Sequence, residues 1–169
     1  MVEFPSTQWR GDRALLILDM VESSIHGPDA IPGAQDCIRF IEGELRYFRE
    51  RDRSVIFLST LMSGDSPSPF IEELLPRSND TVIHKPGPDA FFQTELQDIL
   101  ARKKVRRLTM AGIGASSSIL ITAASAMSRG YSVAVPEPCV VDENPKNAAF
   151  ALHLIRNVWS PMESQASIL

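Results

Sequence analysis

The feature that most constrains this chain is an uninterrupted apolar run, Ala14-Leu-Leu-Ile-Leu18, that ends on a carboxylate, Asp19. A strand with one wet face alternates apolar and polar residues, whereas a strand covered on both faces reads as continuous apolar sequence. A second run of the same kind, Ser54-Val-Ile-Phe-Leu-Ser-Thr60, follows a stretch from Gly33 to Arg51 with apolar residues at helical spacing. Short strand signals recur at Thr81 to His84, Val105 to Ala111 and Tyr131 to Val135. Between them lie helical patterns from Phe91 to Leu100 and from about Ser116 to Arg129, and Asn147 to Trp159 forms a closing helix. Phe92, Leu96 and Leu100 mark the inward side of the first of these. Strands alternating with helices imply crossover connections and a mostly parallel sheet with helices on both faces, an α/β three-layer sandwich. The tail after Pro161 is expected to be loose.

Length and charge narrow the class further. A chain of 169 residues suits one domain, here spanning 1–169, whose core buries roughly 70% of the surface exposed by the unfolded chain. The net charge of -4 gives no general attraction to nucleic acid or anionic lipid. The basic segment Arg102-Lys103-Lys104 with Arg106 and Arg107 leaves two readings open, a solvated turn and an anion-binding patch. No apolar run approaches the roughly 20 residues that span a bilayer, and the two cysteines, Cys37 and Cys139, are too few for a disulfide scaffold. A cytoplasmic protein with neither nucleic acid nor membrane as partner is expected. Cys37 reads as a buried hydrophobe, and Cys139 lies near a strand end without a base partner in its local sequence.

Ligands of parallel α/β sheets sit outside the carboxyl ends of the strands. That rule selects Asp19, the Ser59-Thr60 end, Lys85 and the Gly112 to Ser118 segment. A carboxylate ending an apolar strand is costly unless it is hydrogen-bonded or faces a cleft, though it also serves as an ordinary helix cap. Gly112-Ile-Gly-Ala-Ser-Ser-Ser118 joins a strand to a helix, where glycines permit close backbone approach and orphan amides can hold an anion or oxyanion. It lacks the spacing of a dinucleotide fingerprint and the lysine of a phosphate-binding loop.

These segments, in order, resemble the isochorismatase-like cysteine hydrolases, which include nicotinamidases and N-carbamoylsarcosine amidohydrolases. The resemblance runs from about residue 13 to 159. It rests on Ala14 to Met20, on Lys85-Pro-Gly-Pro-Asp-Ala-Phe-Phe-Gln-Thr-Glu-Leu96, and on Met110 to Ala123 continuing to Arg129-Gly-Tyr-Ser-Val133. It implies Asp19 as proton acceptor, Lys85 as its charged partner, and Ser118 in the position where the family carries its nucleophilic cysteine. It also implies a cis peptide at Ile113-Gly114, oxyanion donors near Ile113, Gly114 and Ser118, and a hydrolytic reaction at a C–N bond of a small amide or carbamoyl compound. Leu61, Phe91 and Phe92 are candidates for an apolar lining, with the core the favoured place for Phe92. Family members that bind a metal use an Asp-x-His pair; Asp65-Ser66-Pro67 has no histidine there, so neither metal nor other cofactor is expected. The family aspartate near the fifth strand is replaced by Pro138. Because a serine hydroxyl is a far weaker acid than a thiol, two alternatives stand beside the amidase: a vinyl-ether hydrolase of the isochorismatase type working through Asp19 and water, and a non-catalytic binding protein that keeps the fold. A homodimer or homotetramer is compatible with the apolar residues of the last helices, Trp159 among them.

Overall fold

The computed structural model describes residues 13–28, 30–61 and 66–158. Strands β1 (Arg13–Leu18), β2 (Ser54–Thr60), β3 (Thr81–Lys85), β4 (Arg107–Ile113), β5 (Ser132–Ala134) and β6 (Val140–Val141) form one sheet. Its order is β3-β2-β1-β4-β5, with β6 pairing against the end of β4. All these pairings are parallel, as the crossover pattern of the sequence requires. The helices are α1 (Glu22–Ile25), α2 (Ala34–Arg49), α3 (Leu96–Arg102), α4 (Leu120–Ser128) and α5 (Pro145–His153).

Side-chain parity along the strands divides the core into two halves. Leu15, Ile17, Val55, Phe57, Ala111 and Ile113 meet the apolar stripe of α2, which is Cys37, Ile38, Ile41, Leu45 and Phe48. Leu16, Leu18, Ile56, Leu58, Ile83 and Met110 point the other way, toward α3, α4 and α5. On α4 the small residues Ala123 and Ala126, both fully buried, let the helix sit close to the sheet. Asn144 opens α5 by accepting the Lys146 amide at 3.0 Å, with Pro145 in the first turn where a missing N–H costs nothing.

Several sequence expectations shift. Gln93 takes a left-handed φ of 53° within a turn at 90–95, so α3 begins at Leu96 rather than Phe91. Phe92, expected in the core, is 57% exposed, while Phe91 is buried and stacks on Tyr131 with ring centroids 5.9 Å apart. The helix expected from Ser116 starts as a five-residue π-helical turn, Ala115–Ile119, before α4. The closing helix begins two residues early and passes into a second π turn, Leu154–Val158. Strand β6 has no signal beyond two valines, because its partner and not its pattern makes it a strand. The basic segment is an exposed turn joining α3 to β4, at the opposite edge of the sheet from Asp19. Trp159 and the tail lie outside the described residues.

Candidate active site

The same parity that builds the core assembles the site. Thr60 and Lys85 stand in register at the carboxyl ends of β2 and β3, on the face occupied by Leu58, Ile83 and α4. Their neighbours Ser59 and His84 point to the other face and bond to each other at 2.8 Å. Asp19, one residue beyond β1, adopts a left-handed φ of 58°, a conformation that aspartate tolerates better than most residues. Its amide still donates to Leu58 O, so the kink turns the side chain without detaching the backbone from β2.

Four donors converge on the Asp19 carboxylate. Oδ1 accepts from the Thr60 amide at 2.7 Å and from Thr60 Oγ1 at 2.9 Å. Oδ2 accepts from Lys85 Nζ at 2.9 Å and from Ser118 Oγ at 2.8 Å. The ammonium of Lys85 is itself fully enclosed and has Thr60 Oγ1, Ser118 Oγ and Gly87 O as further acceptors at 2.5, 3.1 and 3.2 Å. Four oxygens thus face three N–H groups. Such a cluster fixes every member, and the attraction between ammonium and carboxylate offsets the cost of taking both from water. Openings to solvent remain at Asp19, whose side chain is 14% exposed, and at Ser118.

Glycine permits the approach of Ser118 to this pair. Gly112 lies opposite Leu18 with φ 131°, and a Cβ there would fall 2.0 Å from Leu18 O. Gly114 follows with φ 79°, where a Cβ would sit 2.6 Å from Ser117 Oγ and 3.4 Å from the Ser118 amide nitrogen. These two positive φ angles turn the chain from β4 into the π turn. The Ile113-Gly114 bond is trans, and no cis peptide occurs among the described residues, which corrects the expectation drawn from the resemblance.

The remaining expected residues divide. Leu61 is half-buried beside the cluster, its amide bonded to Lys85 O. The Ile113 side chain lies in the α2-side core, across the sheet from α4. The Gly114 amide donates to Val141 O at 3.0 Å, which removes it from the oxyanion donors. Phe91 packs in the core against Tyr131. Cys139 is buried in the core on the α2 side of the sheet. Among the described residues no three His, Cys, Asp or Glu side chains gather as a metal-ligand set; Asp65 lies outside them.

Two residues, Thr122 and Asp142, escape the sequence reading, and a third is read there without its role. Thr60 is selected there only as a strand end. Thr122, fully buried one turn beyond Ser118, donates to Pro88 O at 3.2 Å and accepts from the Ala90 amide at 3.1 Å, tying the loop after Lys85 to α4. Asp142, 8% exposed, accepts from both the amide and the hydroxyl of Ser116.

Fold and cluster together define a parallel α/β protein with an Asp–Lys–Ser constellation at the carboxyl edge of its sheet. The chain belongs to the isochorismatase family, whose Isochorismatase domain matches residues 13–167. It is 24% identical over 165 residues to the uncharacterized isochorismatase family protein YaaI of Bacillus subtilis, covering 88% of this chain and 91% of that protein. Among solved structures, the nicotinamidase SaPncA from Staphylococcus aureus superposes with a TM-score of 0.78 at 26% identity, covering 87% of this chain and 94% of that one. An N-carbamoylsarcosine amidase from Thermoplasma acidophilum gives 0.77 at 26% identity, covering 85% and 92%.

Proposed function

We propose that this protein is a hydrolase of the isochorismatase family acting on a C–N bond of a small amide or carbamoyl compound, with Ser118 in the position of the family's nucleophile. The observation that carries the reading is the triangle in which Ser118 Oγ donates to Asp19 Oδ2 and accepts from Lys85 Nζ. A nucleophile needs a proton acceptor within hydrogen-bond reach and a third group that orients the acceptor, and this triangle supplies both. Two structural relatives, a nicotinamidase and an N-carbamoylsarcosine amidase, point to the same bond type.

In the reaction so inferred, Ser118 Oγ bonds to the substrate carbonyl carbon as its proton passes to Asp19. The C–N bond then breaks, and the leaving nitrogen takes that proton. Water, deprotonated by Asp19, releases the acyl group and restores the serine. Lys85 keeps the carboxylate oriented and its charge balanced through both steps. All four groups facing Asp19 donate to it, which suits a base better than the acid that vinyl-ether cleavage demands. Since an alcohol is a far weaker acid than a thiol, Ser118 makes the first step slow, and Ser118→Cys is expected to raise turnover of amides.

The test is hydrolysis of small amides, carbamoyl compounds and isochorismate by the native protein, Ser118→Cys and Asp19→Asn. Amide turnover that rises with cysteine and vanishes with asparagine supports the reading. Cleavage of isochorismate alone, unaffected at position 118, replaces it with the ether hydrolase; no turnover by any form leaves a binding protein. We further place the protein in the cytoplasm, a reading supported by two free, buried cysteines.

A further inference from the structure

We propose that Asp142 is a positioning residue that holds the Ser118-bearing turn in its π-helical form. This rests on the reading of Ser118 as the nucleophile. A π turn at the head of an α-helix is rare, and contacts from outside the helix hold this one. Here the external holds come from two consecutive residues at the end of β6. Val141 O accepts the Gly114 amide at 3.0 Å, and Asp142 Oδ2 accepts the Ser116 amide and the Ser116 hydroxyl, each at 2.8 Å. Gly114 O in turn receives the amides of Ser117 and Ile119. The turn is therefore pinned at its first residues, and Ser118 lies two residues beyond the Asp142 contact.

Asp142 is a buried carboxylate, which is costly unless the bonds it accepts are good ones. Its hydrogen bonds run to Ser116 and, at 3.3 Å, to the Asn144 amide, and it acts on Ser118 only through the turn. It also satisfies a donor that a helix start otherwise leaves orphaned. Loss of this hold lets the turn relax toward α geometry and rotates Ser118 Oγ away from Lys85 Nζ and Asp19 Oδ2. The result falls on kcat more than on KM, because misplacement of a reacting atom by 1 Å costs about 100-fold.

The experiment separates charge from position in a Ser118→Cys background, with alkylation of the introduced thiol by iodoacetamide as the readout. In Asp142→Asn one amide oxygen can still accept both Ser116 bonds, while the charge is gone; in Asp142→Ala bonds and charge are both lost. The expected result is that the alanine form alkylates about 10-fold more slowly than the asparagine form at pH 7, although both lack the charge. With serine restored, amide turnover is expected to fall about 100-fold in kcat for alanine, with KM within about 3-fold, and asparagine to recover most of it. Equal alkylation of the two folded variants overturns the proposal, as does an asparagine form that fails as badly as alanine. If the alanine form does not fold, Ser116→Ala replaces it: the proposal then requires a slowdown of about 3-fold, and an unchanged rate overturns it. Alkylation needs no substrate, so its outcome stands apart from whether amides are hydrolysed.

Discussion

Ser118 Oγ donates to Asp19 Oδ2 at 2.8 Å across 99 residues of sequence, and the contact is possible because β1 and β4 are neighbours in the sheet. The approach of the two strands at this end depends on Gly112. A side chain there would strike Leu18 O from a backbone conformation that L-residues rarely adopt. Gly112→Ala is therefore expected to cost about 3 kcal/mol and to separate Ser118 from Asp19. Gly43, in α2, has open space around its missing Cβ, and Gly43→Ala should stabilise by about 0.5–1 kcal/mol. Urea titrations of the two variants check the opposite signs.

Lys85 is enclosed with a carboxylate that has only a narrow opening to water. Lys85→Met removes the ammonium and leaves Asp19 with Thr60 and Ser118 as its donors. Breaking such a pair from one side is expected to cost about 3 kcal/mol and to abolish turnover. The double variant Lys85→Met/Asp19→Asn should recover part of the stability and none of the activity. A double variant less stable than the single one argues against a buried charge as the cause.

The site is legible in the sequence to the extent that strand parity and the carboxyl-edge rule reach. Asp19, Lys85 and the Ser118 segment follow from where apolar runs end, because those ends are fixed by the sheet. Thr122 and Asp142 do not, since each acts through partners far away in sequence, and nothing local marks a buried threonine or a second aspartate as a clamp. The exchange of roles between Phe91 and Phe92 has the same origin. Periodicity treats 91–100 as one helix, and the left-handed Gln93 breaks that phase.

Thr122 supplies a matched test of the loop behind Lys85. Thr122→Val keeps the shape but strands the Ala90 N–H and the Pro88 carbonyl oxygen. About 2 kcal/mol of stability should be lost. The release of Pro88 also loosens Gly87, an acceptor of Lys85, so kcat should fall by about 10-fold. Thr122→Ser retains the hydroxyl and is expected to keep native kinetics.

Burial pushes the Cys37 thiol from the ordinary value of 9.0 up to about 11, and the Cys139 thiol up to about 12. Neither should react with a disulfide reagent at pH 8 until the chain unfolds, whereas Ser118→Cys should add one fast thiol. The sign for stability follows. The folded values lie above the unfolded one, so the contribution of the neutral thiols is complete below pH 9 and is lost as pH rises through 11 to 12. The urea midpoint should therefore drop between pH 8 and 10.5, and by less in Cys37→Ala/Cys139→Ala than in the native chain.

Charge is divided between the two ends of the sheet. Among the described residues, the segments that follow the carboxyl ends of the strands carry Asp19, Glu22, Asp89, Glu95, Asp142 and Glu143 against Lys146, while the lysine within the cluster, Lys85, is enclosed and faces Asp19. The opposite edge carries Arg49, Arg51, Arg53 and the Arg102 to Arg107 segment beside Glu50, Asp52 and Asp80. Clefts lined by one sign of charge focus the field and raise the local concentration of ligands of the other sign. A cationic amide should thus show a kcat/KM about 10-fold above that of an anionic amide of the same size at low ionic strength. The two should converge as salt rises, because the Debye length shrinks from about 10 Å at 0.1 M to about 3 Å at 1 M. The measurement is kcat/KM for a matched cationic, neutral and anionic series, using the Ser118→Cys form if it is the faster enzyme. A higher value for the anionic member at low salt, or a ratio that salt leaves unchanged, means that local contacts rather than the field of the acidic edge select the substrate.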